Sequence, residues 1–560
     1  MSDLHLAFWP KNQPRHLTLP RTHLFFNAQV SATRYPDKPY ILFYDTPISF
    51  ARFHDEAERI AGFLQRECGV ARGDRVLLYM QNSPQFVLAY YGILRADAVV
   101  VPVNPMNMTD ELRHYVKDTG AKVAFAAQDL HAQIAPLMGA GSEEGGGLEH
   151  LIVATYSDYL EREHDYAAPP FVTAPRMAIE GPGVTPWHGM LARALRPGTM
   201  ENGPDDLAVM PYTSGTTGFP KGCMHTHRSV MYNAVAGVNW VGTQADTVLL
   251  SVLPFFHVTG MQGSMNSPLL AGATMVLLPR WDRDVAARMI ERHRVNGVQL
   301  ISTMVVDLLS NPRIADYDLS SLSRISGGGA AMPEAIAQKM KDMLGIPYLE
   351  GYGMSETMAA THINPADRPK KQCLGMPLYD VDSRILDTET MSLLPQGGVG
   401  EIIVSAPQVM QGYWNNPAAS ADAFIEFDGK RFLRTGDIAM VDEDGYFFMV
   451  DRLKRMINAS GFKVWPAEVE ALLYHHPAIQ EACIIAAPDA KRGETVKAVV
   501  VLKEAFRDKV SAEDIIAWSH EHMAAYKIPR IVEFRETLPK SASGKLLWRE
   551  MQQQAMAQKA

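Results

Sequence analysis

The chain has 560 residues, 47% of them hydrophobic and 21% charged, and carries a formal net charge of −9. That length allows roughly three to four units of domain size, and the acidic balance excludes a general nucleic-acid binder, whose footprint would be basic. Four cysteines (Cys68, Cys223, Cys373 and Cys483) stand far apart with no Cys-x-x-Cys pair. They read as reduced thiols of a cytosolic protein rather than a disulfide frame or a zinc site.

No apolar run approaches the roughly 18 residues that span a bilayer. The opening MSDLHLAFWPKNQPRHLTLP has neither the basic start nor the apolar core of a secretory signal. A cytoplasmic protein is expected, touching membranes at most to collect a substrate. Through the first half, helical-period segments such as 50–68 alternate with short β-rich runs at 75–80, 99–103 and 123–126. Near-continuous apolar strands between helices predict parallel sheets covered by helices. Residues 139–147 read as a loop, and 165–205, rich in Pro and Gly, as a long surface connection. Strand–helix alternation resumes with runs at 247–253, 274–278 and 297–301, followed by the glycines at 327–329.

From Gly400 short alternating strands appear, at 401–404 and across 431–450 with an Asp444-Gly445 turn. They predict a small antiparallel barrel or sheet. A compact α+β segment follows and ends in a lysine-bearing loop. The expected division is 1–451 as a large domain and 452–560 as a small one.

The chemistry concentrates in six motifs in fixed order. The first is Tyr212-Thr213-Ser214-Gly215-Thr216-Thr217-Gly218-Phe219-Pro220-Lys221-Gly222. Its glycines free backbone N–H groups to face an anion, its hydroxyls add donors and Lys221 adds charge, which is the composition of a polyphosphate cradle. It is not a Walker A loop, because Pro220 precedes Lys221 and Gly222 follows it. The second motif places His257 after two aromatics at a strand end, where packing is the commoner role for a histidine; it is carried as a catalytic candidate. The third is Glu350-Gly351-Tyr352-Gly353-Met354-Ser355-Glu356-Thr357, with Glu356 a hard oxygen ligand suited to Mg²⁺ and Tyr352 a ring for base stacking. Asp437, on the Arg434-Thr435-Gly436-Asp437 turn, can accept two ribose hydroxyls. The fifth joins Asp451-Arg452-Leu453-Lys454 to Ser460-Gly461-Phe462-Lys463, and the sixth is Leu538-Pro539-Lys540-Ser541-Ala542-Ser543-Gly544-Lys545.

In that order and spacing, from about Leu24 to Glu550, the chain resembles the adenylate-forming superfamily of acyl-CoA synthetases, aryl-CoA ligases, luciferases and peptide-synthetase adenylation domains. The resemblance implies an α/β fold: a large N-terminal domain of two helix-covered parallel sheets plus a small β-barrel, then a small mobile α+β domain. It implies ATP, Mg²⁺ and coenzyme A as cofactor and co-substrates, with a small-molecule carboxylic acid as the other partner. Thr213, Ser214, Gly215, Thr216, Thr217, Gly218 and Lys221 would hold phosphates, Thr213 also approaching the metal. Gly329, Glu350, Gly351 and Tyr352 match the adenine side, Ser355 a phosphate contact and Glu356 the Mg²⁺ ligand. Asp437 and Arg452 match the ribose pair, Lys454 the hinge, Gly461 the wall of a thiol tunnel and Lys545 the lysine of adenylation.

The implied activity is a medium- or long-chain fatty acid–CoA ligase forming an acyl-adenylate. The apolar, methionine-containing wall expected at Val258, Met261, Gly263, Ser264, Met304, Val305 and 327–330 suits flexible chains. Gln commonly stands in aryl-CoA ligases where this chain has Lys463, which disfavours the coumarate-like alternative. A catalytically silent nucleotide-binding regulator is the alternative outside enzymes, and retention of Glu356, Asp437, Lys454 and Lys545 argues against it. The protein is expected to be a monomer or homodimer.

Overall fold

The computed structural model describes residues 4–139, 147–213, 220–329, 332–459, 462–489, 493–507, 509–540 and 546–557. Two compact units emerge: a larger one of Trp9–Asp382 with Ser405–Leu433, and a smaller one of Met1–Phe8, Ser383–Val404 and Arg434–Ala560.

The larger unit holds two sheets. In the seven-stranded sheet the order is His225–Thr226, Leu207–Val209, Val99–Val103, Arg75–Tyr79, Val123–Ala127, His150–Ala154 and Val184–Pro186. All neighbours run parallel except the first pair. Period-2 alternation sends Val76, Leu78 and Val100 into the main core, while Leu77, Tyr79, Val99 and Val101 face a second core with Leu112, Tyr115 and Val116 of the helix Thr109–Thr119. Both faces are therefore buried, which is why these strands read as unbroken apolar runs.

The nine-stranded sheet has six central strands in parallel register: Pro39–Phe43, Thr274–Leu277, Val248–Ser251, Gly297–Gln299, Arg324–Gly328 and Tyr348–Met354. Antiparallel strands close its two edges. Two helices lie in the core that this sheet shares with the first. Phe50–Arg66, capped by the Ser49 hydroxyl, buries Phe50, Phe53, Ala57, Ile60, Ala61 and Leu64 at helical spacing. Pro84–Arg95, with Ser83 as cap and Pro84 in its first turn, is buried at every position through Leu94. A helix apolar all round belongs in an interior.

The stretch 165–205 differs from its expectation as a surface connection. It supplies the edge strand Val184–Pro186, paired with His150–Ala154, and the helix Trp187–Ala192, whose Trp187 is fully buried. Tyr166, Val172 and Met190 are buried with it, so several scattered apolar side chains fix this Pro- and Gly-rich segment to the core.

The smaller unit contains a five-stranded sheet in which the hairpin Ile479–Asp489/Gly493–Leu502 pairs with Ile457–Ala459 and Ile531–Phe534. Helices Pro466–Leu473, Ala512–His522 and Trp548–Ala557 accompany it. The antiparallel pairing expected before it is present: Asp437–Val441 runs against Phe447–Arg452, with Gly445 at φ +80° in the turn.

The contact between the two core helices is tight at Gly92, where a Cβ would stand 2.4 Å from Ile60 Cγ2 and 2.7 Å from Ile60 Cβ. Gly92→Ala is expected to cost about 1–3 kcal/mol through overpacking. The midpoint of urea unfolding would report it, and an unchanged midpoint would show that the helices re-seat freely.

Candidate active site

Parallel α/β sheets bind ligands beyond the carboxyl ends of their strands, and the third motif lies there. Tyr348–Met354 carries Glu350, Gly351 and Tyr352 to that edge, beside Gly328 and Gly329 at the end of Arg324–Gly328. The chain then turns through Ser355–Thr357 and returns as Ala359–Ile363. The reversal is strained: Met358 and Ala359 have φ of +48° and +89°, a region costly to residues with a Cβ. Gly353 is required there, because a Cβ would stand 1.7 Å from the Ala359 carbonyl oxygen.

The turn is held at several points. His225 Nε2 donates to the Ser355 carbonyl at 2.7 Å, its partner being an acceptor only, and burial lowers the imidazole pKa to about 4, keeping it neutral. Met410 N–H donates to the Glu356 carbonyl at 2.8 Å. The Glu356 side chain is buried, and its Oε1 accepts from the Tyr413 hydroxyl at 2.8 Å. Burial first, and the adjacent Glu356 second, push the Tyr413 phenol far above its ordinary pKa, so it stays a donor.

Thr213 and Lys221 face each other across the antiparallel pair Tyr212–Thr213/Lys221–Gly222, which brackets the first motif. Lys221 Nζ lies over the Tyr413 ring, 4.1 Å from its centroid. Ser214, Gly215, Thr216, Thr217 and Gly218 lie outside the described residues, as do Gly461 and Lys545. The strand pair flanking the first motif, the Glu356 carboxylate and the Lys221 ammonium thus belong to one unit.

Tyr352 is half-buried, with the His362 ring centroid at 5.6 Å. His257 caps a short turn of helix, its Nδ1 accepting from the Thr259 N–H at 3.3 Å. Of the expected acyl wall, Val258, Met261, Ser264 and Val305 are buried in the larger unit. Gly263 and Gly327 serve close packing as well. A Cβ on Gly263 would meet the Gln299 amide at 2.2 Å, and one on Gly327 the Leu300 carbonyl at 2.0 Å.

In the smaller unit, Arg452 Nε pairs with Asp437 Oδ1 at 3.0 Å, Asp437 being buried. The Asp437 turn is itself anchored by buried Glu401, which accepts from Gly436 N–H at 2.9 Å and from the Arg434 guanidinium at 2.8 Å. Lys454 is exposed on the 3₁₀ turn Leu453–Arg455. Sequence reasoning missed Tyr413, His225 and Glu401. Their partners stand 57, 130 and 35 residues away, so no local spacing marks them.

Residues 28–414 match the model of the AMP-binding enzyme family, and 468–545 that of the AMP-binding enzyme C-terminal domain. The chain belongs to the AMP-binding enzyme family. It is 35% identical to the long-chain-fatty-acid–CoA ligase of Bacillus subtilis (strain 168), over 98% of this chain and 97% of that protein. It is 33% identical to a feruloyl-CoA synthase of an Amycolatopsis species, over 90% and 93%. The structure of the anthranilate CoA ligase AuaEII in complex with anthranoyl-AMP superposes with a TM-score of 0.81 at 26% identity, covering 97% of this chain and 99% of that one. The α/β fold with a separate C-terminal domain, implied by the resemblance, is borne out.

Magnesium fits this AMP-binding enzyme at Glu356. Mg²⁺ is ordinarily held by one or two carboxylates together with substrate phosphates and water rather than by a protein cage. Among the described residues no cluster of three or more His, Cys, Asp or Glu is arranged to hold a metal, whereas Glu356 offers a buried, hydrogen-bonded carboxylate whose phenol partner also carries Lys221.

Glu350 adds a pH signature. Its Oε1 accepts from the Met332 N–H at 2.8 Å, and burial raises its pKa from 4.5 to about 7. A carboxyl that keeps its proton to higher pH when folded contributes stability that is full below its unfolded pKa and is lost as pH rises through the folded one. Relative to Glu350→Gln, the parent should therefore lose stability between about pH 4.5 and about pH 7. Urea midpoints across that window test this; a constant offset between the two proteins would contradict it.

Proposed function

We propose that this AMP-forming acyl-CoA ligase acts on medium- or long-chain fatty acids, converting ATP, acid and CoA into acyl-CoA, AMP and pyrophosphate through an acyl-adenylate. The observation that carries the reading is the pairing of buried Glu356 with Lys221 through Tyr413, in a chain aligned end to end with a long-chain-fatty-acid–CoA ligase. The buried Val258, Met261 and Val305 support a flexible apolar chain, since apolar pockets select by shape. The feruloyl-CoA synthase relative keeps an aryl acid as the second reading.

In the first half-reaction a substrate carboxylate oxygen attacks the α-phosphorus of ATP and pyrophosphate leaves. Two anions approach, so cationic groups are needed where negative charge accumulates. Lys221, with Thr213 and the hydroxyls and glycines of 214–218, attends the departing phosphates. Lys545 stands for the charge shared by the carboxylate and the α-phosphate. Glu356 and Thr213 would hold Mg²⁺, which would supply charge neutralisation of the phosphates. Gly329, Glu350, Gly351 and Tyr352 form the adenine side, Ser355 a phosphate contact, and Asp437 with Arg452 the ribose contact. His257, which precedes Val258 of the acyl wall in sequence, is the remaining catalytic candidate. In the second half-reaction the CoA sulfur attacks the acyl carbon and AMP leaves with the electron pair of the broken bond. Lys454 is the pivot between the functional halves 1–451 and 452–560, and Gly461 suits a narrow thiol path because it has no side chain to obstruct it.

Among the described residues no helix is long and apolar enough to cross a membrane. ATP, CoA and four cysteines outside any disulfide suit the cytoplasm, with membrane contact limited to substrate collection and a monomer or homodimer as the working form.

A panel of acids from acetate to octadecanoate with cinnamates, read as CoA-dependent AMP formation, tests the substrate class; highest kcat/KM on a cinnamate would overturn it. Lys545→Ala should lower adenylation by about 10²-fold or more while using pre-formed acyl-AMP at near the parental rate. Equal losses in both half-reactions would defeat this division of labour.

A further inference from the structure

We infer that Tyr413 is a positioning residue of the adenylation site, fixing the metal-binding carboxylate of Glu356 by its hydroxyl and the Lys221 ammonium by its ring face. The inference rests on the acid–CoA ligase reading. Three independent observations place Tyr413 in that role. Its hydroxyl donates to Glu356 Oε1 at 2.8 Å. Its ring carries Lys221 Nζ at 4.1 Å from the centroid, within range of a cation–π attraction. Its backbone is locked, because Cys223 and Tyr413 form an antiparallel bridge flanked by Met224 N–H to Gly412 O at 3.0 Å and Trp414 N–H to Gly222 O at 2.8 Å.

The consequence is geometric. A carboxylate turns freely about its last bond, and a long ammonium side chain has many rotamers. One rigid ring that holds the first by its edge and the second by its face removes both freedoms before substrate arrives. Partners of a ligating carboxylate that act in this way are worth tenfold or more in metal affinity. Phenylalanine would preserve the face and lose the edge, whereas leucine would lose both, so the two roles separate.

Calorimetric titration of Mg²⁺ into enzyme saturated with a non-hydrolysable ATP analogue tests the inference without turnover. Tyr413→Phe should weaken Mg²⁺ binding about 10-fold while binding the metal-free analogue like the parent; Tyr413→Leu should weaken both. Thermal melts establish that each variant is folded, and the Phe variant alone decides the matter if the Leu variant is not. Parental Mg²⁺ affinity in Tyr413→Phe overturns the inference and leaves the functional reading standing. A parent that binds no analogue with Mg²⁺ overturns the functional reading and the inference with it.

Discussion

The active edge of the larger unit depends on one crossing of the chain, where residues 410–414 lie antiparallel to residues 222–224. Gln411 and Trp414 donate backbone N–H groups to Met224 and Gly222, and Met224 returns one to Gly412. The same short segment donates from Met410 to the Glu356 carbonyl and from the Tyr413 hydroxyl to the Glu356 carboxylate. The strand that follows the first motif and the turn bearing Glu356 are thereby referred to a single piece of backbone. Neither could shift by an ångström without breaking hydrogen bonds in a buried environment, where an orphaned polar group costs about 1–3 kcal/mol. The Trp414 indole extends the anchor, donating to the Asp118 carbonyl at 2.9 Å, while the Asp118 carboxylate accepts from Tyr212 at the start of the first motif.

Around this crossing the polar groups are arranged by charge as well as by shape. His225 is held neutral by burial, so beneath Ser355 it acts as a donor without adding a positive charge that would compete with a metal for Glu356. Tyr413 likewise stays a neutral donor. Glu356 brings a carboxylate and Lys221 an ammonium, one suited to a cation and one to phosphate oxygens. A buried carboxylate satisfied by a neutral phenol remains available to a metal, which a direct bidentate arginine pair would oppose.

Much of this was legible in the sequence, for reasons that differ by element. The strands at 75–79, 99–103 and 123–127 were readable because both of their faces are buried, so apolar character is unbroken. The helix Phe50–Arg66 was readable because its buried positions follow the helical period. The motifs themselves carried the fold and the family. What stayed hidden was long-range. Tyr413 follows a glycine in a segment with no periodicity, and its meaning comes from Glu356, which is 57 residues away in sequence and 2.8 Å away in space. Glu401 looks like any residue of a strand, yet it accepts from the N–H of Gly436 and anchors the turn of Asp437. Segment 165–205 differs from its reading because its Pro and Gly content speaks of loops, while the residues that fix it to the core, Tyr166, Val172, Trp187 and Met190, are scattered without a helical or strand period.

The glycines near the carboxyl edge of the nine-stranded sheet show how composition alone leaves two explanations open. A run such as 327–329 suggests room for a ligand, and equally a place where neighbouring strands approach too closely for a Cβ. Geometry separates the two. Gly327 and Gly328 would put a Cβ 2.0 Å from the Leu300 carbonyl and 2.3 Å from the Gly351 carbonyl, so both are demanded by strand packing. Gly329 differs in kind, since its φ of +86° is a conformation that residues with a Cβ rarely adopt. The first two glycines let the parallel strands pack closely, and the third lets the chain leave the sheet at the edge where Tyr352 and Glu356 stand. A glycine motif at a strand end can therefore be a packing requirement first, and the ligand-facing edge is the consequence of the turn that packing permits.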